Sequence, residues 1–224
     1  MGASSIKEGL LTSIKTDNTA QLSSYLSELV PNEYINSSKT FTALNICAAF
    51  GSKKCCELLI KKGWKVDLPE KENGNSPLLL TIQFGYEDLA KIFINDFKAN
   101  IKYVNYAKLN CLDYAIVYSR YSIAYYLMYE LGMKITKSVN EYKKIMKNND
   151  IYLYPIEPFI NDLLSKMKNS ESIYIPNNGN FANLTERDEK TIEVEHDNDT
   201  ISNMSVVDVN KIEVLVDKNI IKVE

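Results

Sequence analysis

Four cysteines and a single histidine are the side chains of this 224-residue sequence best suited to hold a metal or to act as nucleophile and base. Cys47, Cys55, Cys56 and Cys111 contain no C-x-x-C pair, and His196 stands far beyond the last of them, so the ligand spacing of a zinc site is missing. Adjacent Cys55 and Cys56 would point to different faces of a helix and would not readily bridge each other. Four reduced thiols packed as small apolar groups is the reading that remains, and it implies a reducing compartment. Acid–base catalysis needs a group with a usable pKa, and no histidine precedes His196, which removes a Ser-His or Cys-His pair from everything before it. There is no G-x-x-x-x-G-K-[ST] loop, and neighbouring Glu87 and Asp88 read as a solvated helix face. The expectation is a protein that is not an enzyme, with no metal site, no catalytic residues and no cofactor.

The elements that carry these residues belong to a chain that is 45% apolar and 25% charged, with a formal charge of −3, enough to bury a core. No run reaches the roughly 20 apolar residues of a membrane span, and the N-terminus lacks the apolar stretch of a secretory signal. A soluble, cytoplasmic protein is expected. The mildly acidic balance, without a basic stripe, argues against nucleic acid as a partner. Charge is unevenly spread: residues 1–169 hold 21 basic and 17 acidic side chains, residues 170–224 hold 5 and 12. The second segment has only Tyr174 and Phe181 as aromatics and little means of offsetting its ordering entropy, so a largely disordered acidic tail is expected over 170–224. Within it Ile212, Val214 and Val216 alternate before Asp217-Lys218-Asn219, and Ile220, Ile221 and Val223 follow, the pattern of a short β-hairpin.

Self-similarity decides the fold. Thr42-Ala43-Leu44-Asn45-Ile46-Cys47-Ala48-Ala49-Phe50-Gly51 returns 34 positions later as Ser76-Pro77-Leu78-Leu79-Leu80-Thr81-Ile82-Gln83-Phe84-Gly85. After another 34 comes Asn110-Cys111-Leu112-Asp113-Tyr114-Ala115-Ile116-Val117-Tyr118-Ser119. A second apolar helical pattern follows each block: Cys55, Cys56, Leu58 and Leu59; Leu89, Ala90, Ile92 and Phe93; Ile123, Ala124, Tyr126 and Leu127. These are repeated pairs of helices. Thr42 and Ser76 suit helix N-caps, and Pro77 suits a first turn where an amide donor would have no partner. Gly51 and Gly85 permit the left-handed backbone that ends a helix. Leu44, Leu78 and Leu112 are then core.

The first block, running on through Lys61-Lys62-Gly63-Trp64-Lys65-Val66-Asp67, resembles the ankyrin repeat, whose pattern is a turn, T-P-L-H-x-A-A-x-x-G and a second helix ending at glycine. The second block keeps Gly74-Asn75-Ser76-Pro77-Leu78; in the third, Ser119 replaces the helix-ending glycine. The histidine of the pattern is replaced by Asn45, Leu79 and Asp113. The resemblance implies an all-α solenoid of helix-turn-helix units over about residues 5–168, strongest in 38–100. Residues 1–37 are expected to form an N-terminal capping repeat, through Leu10, Leu11 and Ile14 and then Leu22, Tyr25, Leu26 and Leu29. Residues 38–136 give three central repeats. Residues 137–169 give a degenerate closing repeat, with Val139, Ile145 and Met146 on one helix and Phe159, Ile160, Leu163 and Leu164 on another.

Such a stack exposes a long concave wall, which ankyrin proteins generally use to bind other proteins. By that resemblance the positions before the helix-ending glycine face the groove: Lys15-Thr16, Ala49-Phe50, Gln83-Phe84 and Val117-Tyr118, of which Lys15, Phe50, Gln83, Phe84, Val117 and Tyr118 are the candidate contacts. Phe50, Phe84 and Tyr118 recur with the period and would form an aromatic ladder, anchors for a partner, unless each ring packs on the adjoining repeat. Lys39, Asn73, Asn75 and Lys108 lie in the hairpin tips. Tyr118, Tyr121, Tyr125 and Tyr129 would cover the seam to the closing repeat, and Trp64 would fill a gap between repeats or lie at its edge. Met1-Gly2-Ala3-Ser4-Ser5-Ile6-Lys7 resembles a weakened N-myristoylation start at Gly2. The leading expectation is a non-catalytic adaptor or scaffold, a monomer outside its complex, that binds a protein partner on its concave face. The alternatives are a peripheral membrane scaffold held through Gly2, where alone a membrane would be engaged, and a structural subunit of a cytoskeletal assembly.

Overall fold

In the computed structural model, residues 3–36, 38–149, 151 and 156–171 are described; Gly2 and the tail beyond Glu171, with its hairpin pattern, lie outside them. Among the described residues ten α-helices follow one another, with no β-strand and only one isolated antiparallel bridge, between Tyr34 and Thr42.

The inner helices of the three central repeats begin where a short polar side chain can take a free amide. Thr42 opens α3 (Ala43–Phe50) with a capping box completed by Asn45. Ser76 accepts from the Leu79 amide to open α5 (Pro77–Gln83), with Pro77 in the first turn. Asn110 and Asp113 form the box that opens α7 (Cys111–Val117). The reversals that follow are left-handed: Gly51 has φ 70° and Gly85 φ 83°, and Ser119 takes the same turn at φ 54°. Outer helices α4 (Lys53–Lys61), α6 (Glu87–Asn95) and α8 (Tyr121–Tyr125) then run back, α8 continuing as a π-helical turn over Tyr126–Glu130. In that wider turn the rings of Tyr125 and Tyr129 stack with centroids 3.9 Å apart.

At the N-terminal end, α1 (Ala3–Lys15) and α2 (Thr19–Tyr25) make a smaller hairpin, with Asn18 as the cap of α2 and a 3-10 turn at Leu26–Glu28. At the other end come α9 (Val139–Asn148), opened by a Ser138–Glu141 capping box, and α10 (Ile156–Glu171).

The inner helices stack in chain order, α1 on α3, α3 on α5, α5 on α7 and α7 on α9, while α10 packs against both α9 and α7. Leu44, Leu78 and Leu112 are each 1% exposed and belong to one continuous apolar cluster. The fold is an all-helical solenoid. Trp64 fills a gap: it is buried, and it borders a shallow pocket with Leu26, Leu29, Pro31 and Lys62. All four cysteines are buried and unbridged, packed as small apolar groups.

Candidate partner-binding face

Three recurrent positions hold the hairpin tips in shape and join successive repeats. The first is the turn anchor. Asn36 Oδ1 accepts from the amides of Thr40 and Phe41, both at 2.7 Å. Glu70 takes the same place in the next tip, accepting from the amides of Glu72 (2.6 Å), Asn73 (3.0 Å) and Asn75 (2.8 Å). Asn105 takes it in the third, accepting from the Leu109 amide at 3.0 Å. All three are buried, as a polar group must be bonded to be.

The second tie occupies the family's histidine position. Asn45 Nδ2 donates to the Leu68 carbonyl of the next turn at 2.9 Å, so asparagine makes the repeat-to-turn bond in place of histidine. Asp113, also buried, instead accepts from the Tyr142 hydroxyl (2.8 Å) and from Lys137 Nζ (2.7 Å), reaching into the closing helices. Burial and the Asp113 carboxylate together push the Tyr142 phenol far above its ordinary value.

The third tie follows each helix-ending turn. Ser52 Oγ donates to the Ile14 carbonyl at 2.6 Å, and Arg120 donates to the carbonyls of Ile82 (3.1 Å) and Gln83 (2.9 Å). Between them, the Tyr86 ring lies across Gly51 and leaves no room there for a Cβ. Burial lowers the Arg120 pKa, against the pull of Glu87.

Against this frame the ten candidate contact residues divide. Lys15, Lys39, Asn73 and Lys108 are exposed. Phe50, Gln83, Phe84 and Tyr118 are half-buried at the carboxyl ends of the inner helices, and the three rings pack against the core with one side. The Lys15 ammonium lies over the Phe50 ring, 5.5 Å from its centroid. Tyr118 leans on Tyr114 at 5.4 Å, and burial pushes its phenol up to about 12.

Asn75 and Val117 are corrections to the expected face. Asn75 is 3% exposed because its Oδ1 turns inward to accept from Tyr114 (2.6 Å) and Asn105 (2.9 Å). Val117 is 1% exposed because α9 and α10 stack on α7, every residue of which is buried. Neither is open to a partner.

Side chains not anticipated from the sequence complete the face. Tyr106 is 64% exposed beside half-exposed Tyr103, whose hydroxyl donates to the Gly74 carbonyl at 2.7 Å. Lys71 Nζ sits 4.0 Å from the Tyr34 ring centroid. Part of their signal is present in the sequence: Tyr34 and Tyr103 each stand two residues before a tip anchor, Asn36 and Asn105. Tyrosines of α8 and the π-helical turn after it reach α10: Tyr121 packs on Phe159 with centroids 3.9 Å apart, and the Tyr129 hydroxyl donates to the Leu163 carbonyl at 2.8 Å.

Among the described residues no group of three cysteine, histidine or carboxylate side chains is placed to hold a metal, and no helix is long and apolar enough to cross a membrane. The arrangement offers aromatic edges and lysines for surface recognition. A family model for ankyrin repeats, in three copies, matches residues 44–138. No curated protein matches the chain. Ankyrin repeats generally mediate protein–protein interactions, and domains made of them are typically non-catalytic. Residues 44–138 of the chain are thus ankyrin repeats.

Proposed function

We propose that this array is a non-catalytic, cytoplasmic adaptor that holds a protein partner against its inner-helix ends and hairpin tips. The observation that carries the reading is the recurrence of a half-buried ring, Phe50, Phe84 and Tyr118, at one end of three successive inner helices. Rigid rings with one face packed and one edge available lose little entropy on binding and serve as anchors, while exposed Lys15, Lys39, Asn73 and Lys108 supply a polar rim. A non-catalytic role is supported by the thiols: burial pushes Cys47 upward and Cys111 to about 12, so neither offers a thiolate at neutral pH.

The test is capture of cytosolic proteins on the full chain and on a Phe50→Ala/Phe84→Ala double variant, read by quantitative mass spectrometry. Proteins retained by the parent and lost by a variant that unfolds cooperatively support the reading. An unchanged set at unchanged yield on that variant contradicts it.

A further inference from the structure

We infer that the acidic tail docks on its own solenoid, with residues 186–199 lying against Lys102, Lys108, Lys134, Lys144 and Lys147. The inference stands apart from the proposed partner face, although Lys108 belongs to both.

The solenoid is electrostatically polarised. Residues 98–149 carry nine basic and three acidic side chains, whereas the rest of 1–169 is slightly acidic. Little within that segment neutralises the excess. Of its three acidic side chains, Asp113 is buried and taken up by Lys137 and Glu141 is engaged in capping α9, which leaves exposed Glu130; Lys143 already pairs with Glu157 of α10 at 3.0 Å. Lys102, Lys108, Lys134, Lys144 and Lys147 are exposed and have no carboxylate partner among the described residues. Like charges left without partners raise the local potential and attract whatever anionic segment is nearest.

That segment is in the same chain. Residues 186–199 hold seven acidic side chains and two basic ones, the densest negative stretch of the sequence. Its tether starts at the basic end of the stack, because α10 packs on α9 and α7 and runs to Glu171. About 14 residues then separate Glu171 from Glu186, enough to reach about 50 Å when extended. A tether of that length holds the anionic segment at an effective concentration on the order of millimolar, so that weak, salt-sensitive attraction suffices for docking. An external polyanion would have to displace it from a chain whose formal charge is −3.

The test uses the full chain with a nitroxide on an Asn198→Cys variant; all four native thiols are buried, which directs the label to the new one. Paramagnetic broadening of amide signals then reports which residues the tail approaches. Docking predicts selective broadening at residues 102–108, 134 and 144–147. Raising the salt from about 0.1 M to about 1 M shortens the screening length from roughly 10 to 3 Å and should reduce that broadening about tenfold. A Lys102→Gln/Lys108→Gln/Lys134→Gln variant should abolish it, and so should Glu193→Gln/Glu195→Gln/Asp197→Asn in the tail, a variant that leaves every residue of the solenoid unchanged. Uniform or absent broadening overturns the inference, as does broadening that survives high salt. Broadening of an unlabelled isotopic chain by a separate spin-labelled one would place the tail on a second copy and overturn it equally.

Discussion

Arg120 Nε donates to the Ile82 carbonyl at 3.1 Å across 38 positions of sequence, the same separation over which Ser52 Oγ reaches the Ile14 carbonyl at 2.6 Å. The last carbonyls of an inner helix have no partner within that helix. Ser52 and Arg120 therefore close the inner helix of the preceding repeat, and at these two seams the solenoid is stitched by hydrogen bonds as well as by apolar contact.

Removing the stitch should be felt. Arg120→Ala leaves the ends of α5 to water and should lower the unfolding free energy by about 1.5–3 kcal/mol, the range for bonds from a charged donor. Ser52→Ala should cost about 1 kcal/mol, the mean for a neutral bond. Urea denaturation of both variants checks this, and an Arg120→Ala chain as stable as the parent would mean that the guanidinium adds nothing net.

Glu70 makes stability depend on pH. Burial holds its carboxyl above the ordinary value of 4.5, outweighing the amides of Asn75, Asn73 and Glu72, which pull it down. The folded state thus keeps its proton longer than the unfolded one. The contribution of this group is complete below 4.5 and is lost as pH rises through the raised folded value. Glu70→Gln cannot titrate. In denaturation series from about pH 4 to about pH 7, the parent should lose stability relative to Glu70→Gln as pH rises. Parallel curves would contradict the assignment.

The closing helices hang on a smaller set of bonds. Tyr142 donates to buried Asp113 at 2.8 Å, and Tyr142→Phe should cost about 1–3 kcal/mol by leaving that carboxylate a bond short. In a stack where each unit touches only its neighbours, the loss should stay local. Amide hydrogen exchange should quicken in α9 and α10 and remain unchanged in α3 and α4; faster exchange throughout would mean a single cooperative block.

Much of this was legible because the inner helices repeat their chemistry. Thr42, Ser76 and Asn110 are interchangeable caps, and Gly51 and Gly85 turn the chain as their type requires. The ties between repeats were not legible, because one task is given to unlike side chains. Asn36, Glu70 and Asn105 anchor three tips, and the last two are separated by 35 positions. Ser52, Tyr86 and Arg120 cover three turns by a hydroxyl bond, a ring and a guanidinium. The candidate face was misread where a neighbour decides exposure: Asn75 looks like a turn residue until Tyr114 draws it inward, and Val117 looks open until α10 covers α7.

The stack itself is tested most directly by methyl–methyl nuclear Overhauser contacts in the full chain. Leu44 and Ile46 of α3 should show cross-peaks to Leu78, Leu79 or Ile82 of α5, and those to Leu112 or Ile116 of α7, with none passing directly from α3 to α7. Direct α3–α7 contacts, or a gap between α3 and α5, would contradict a linear array of helix hairpins with one shared interior.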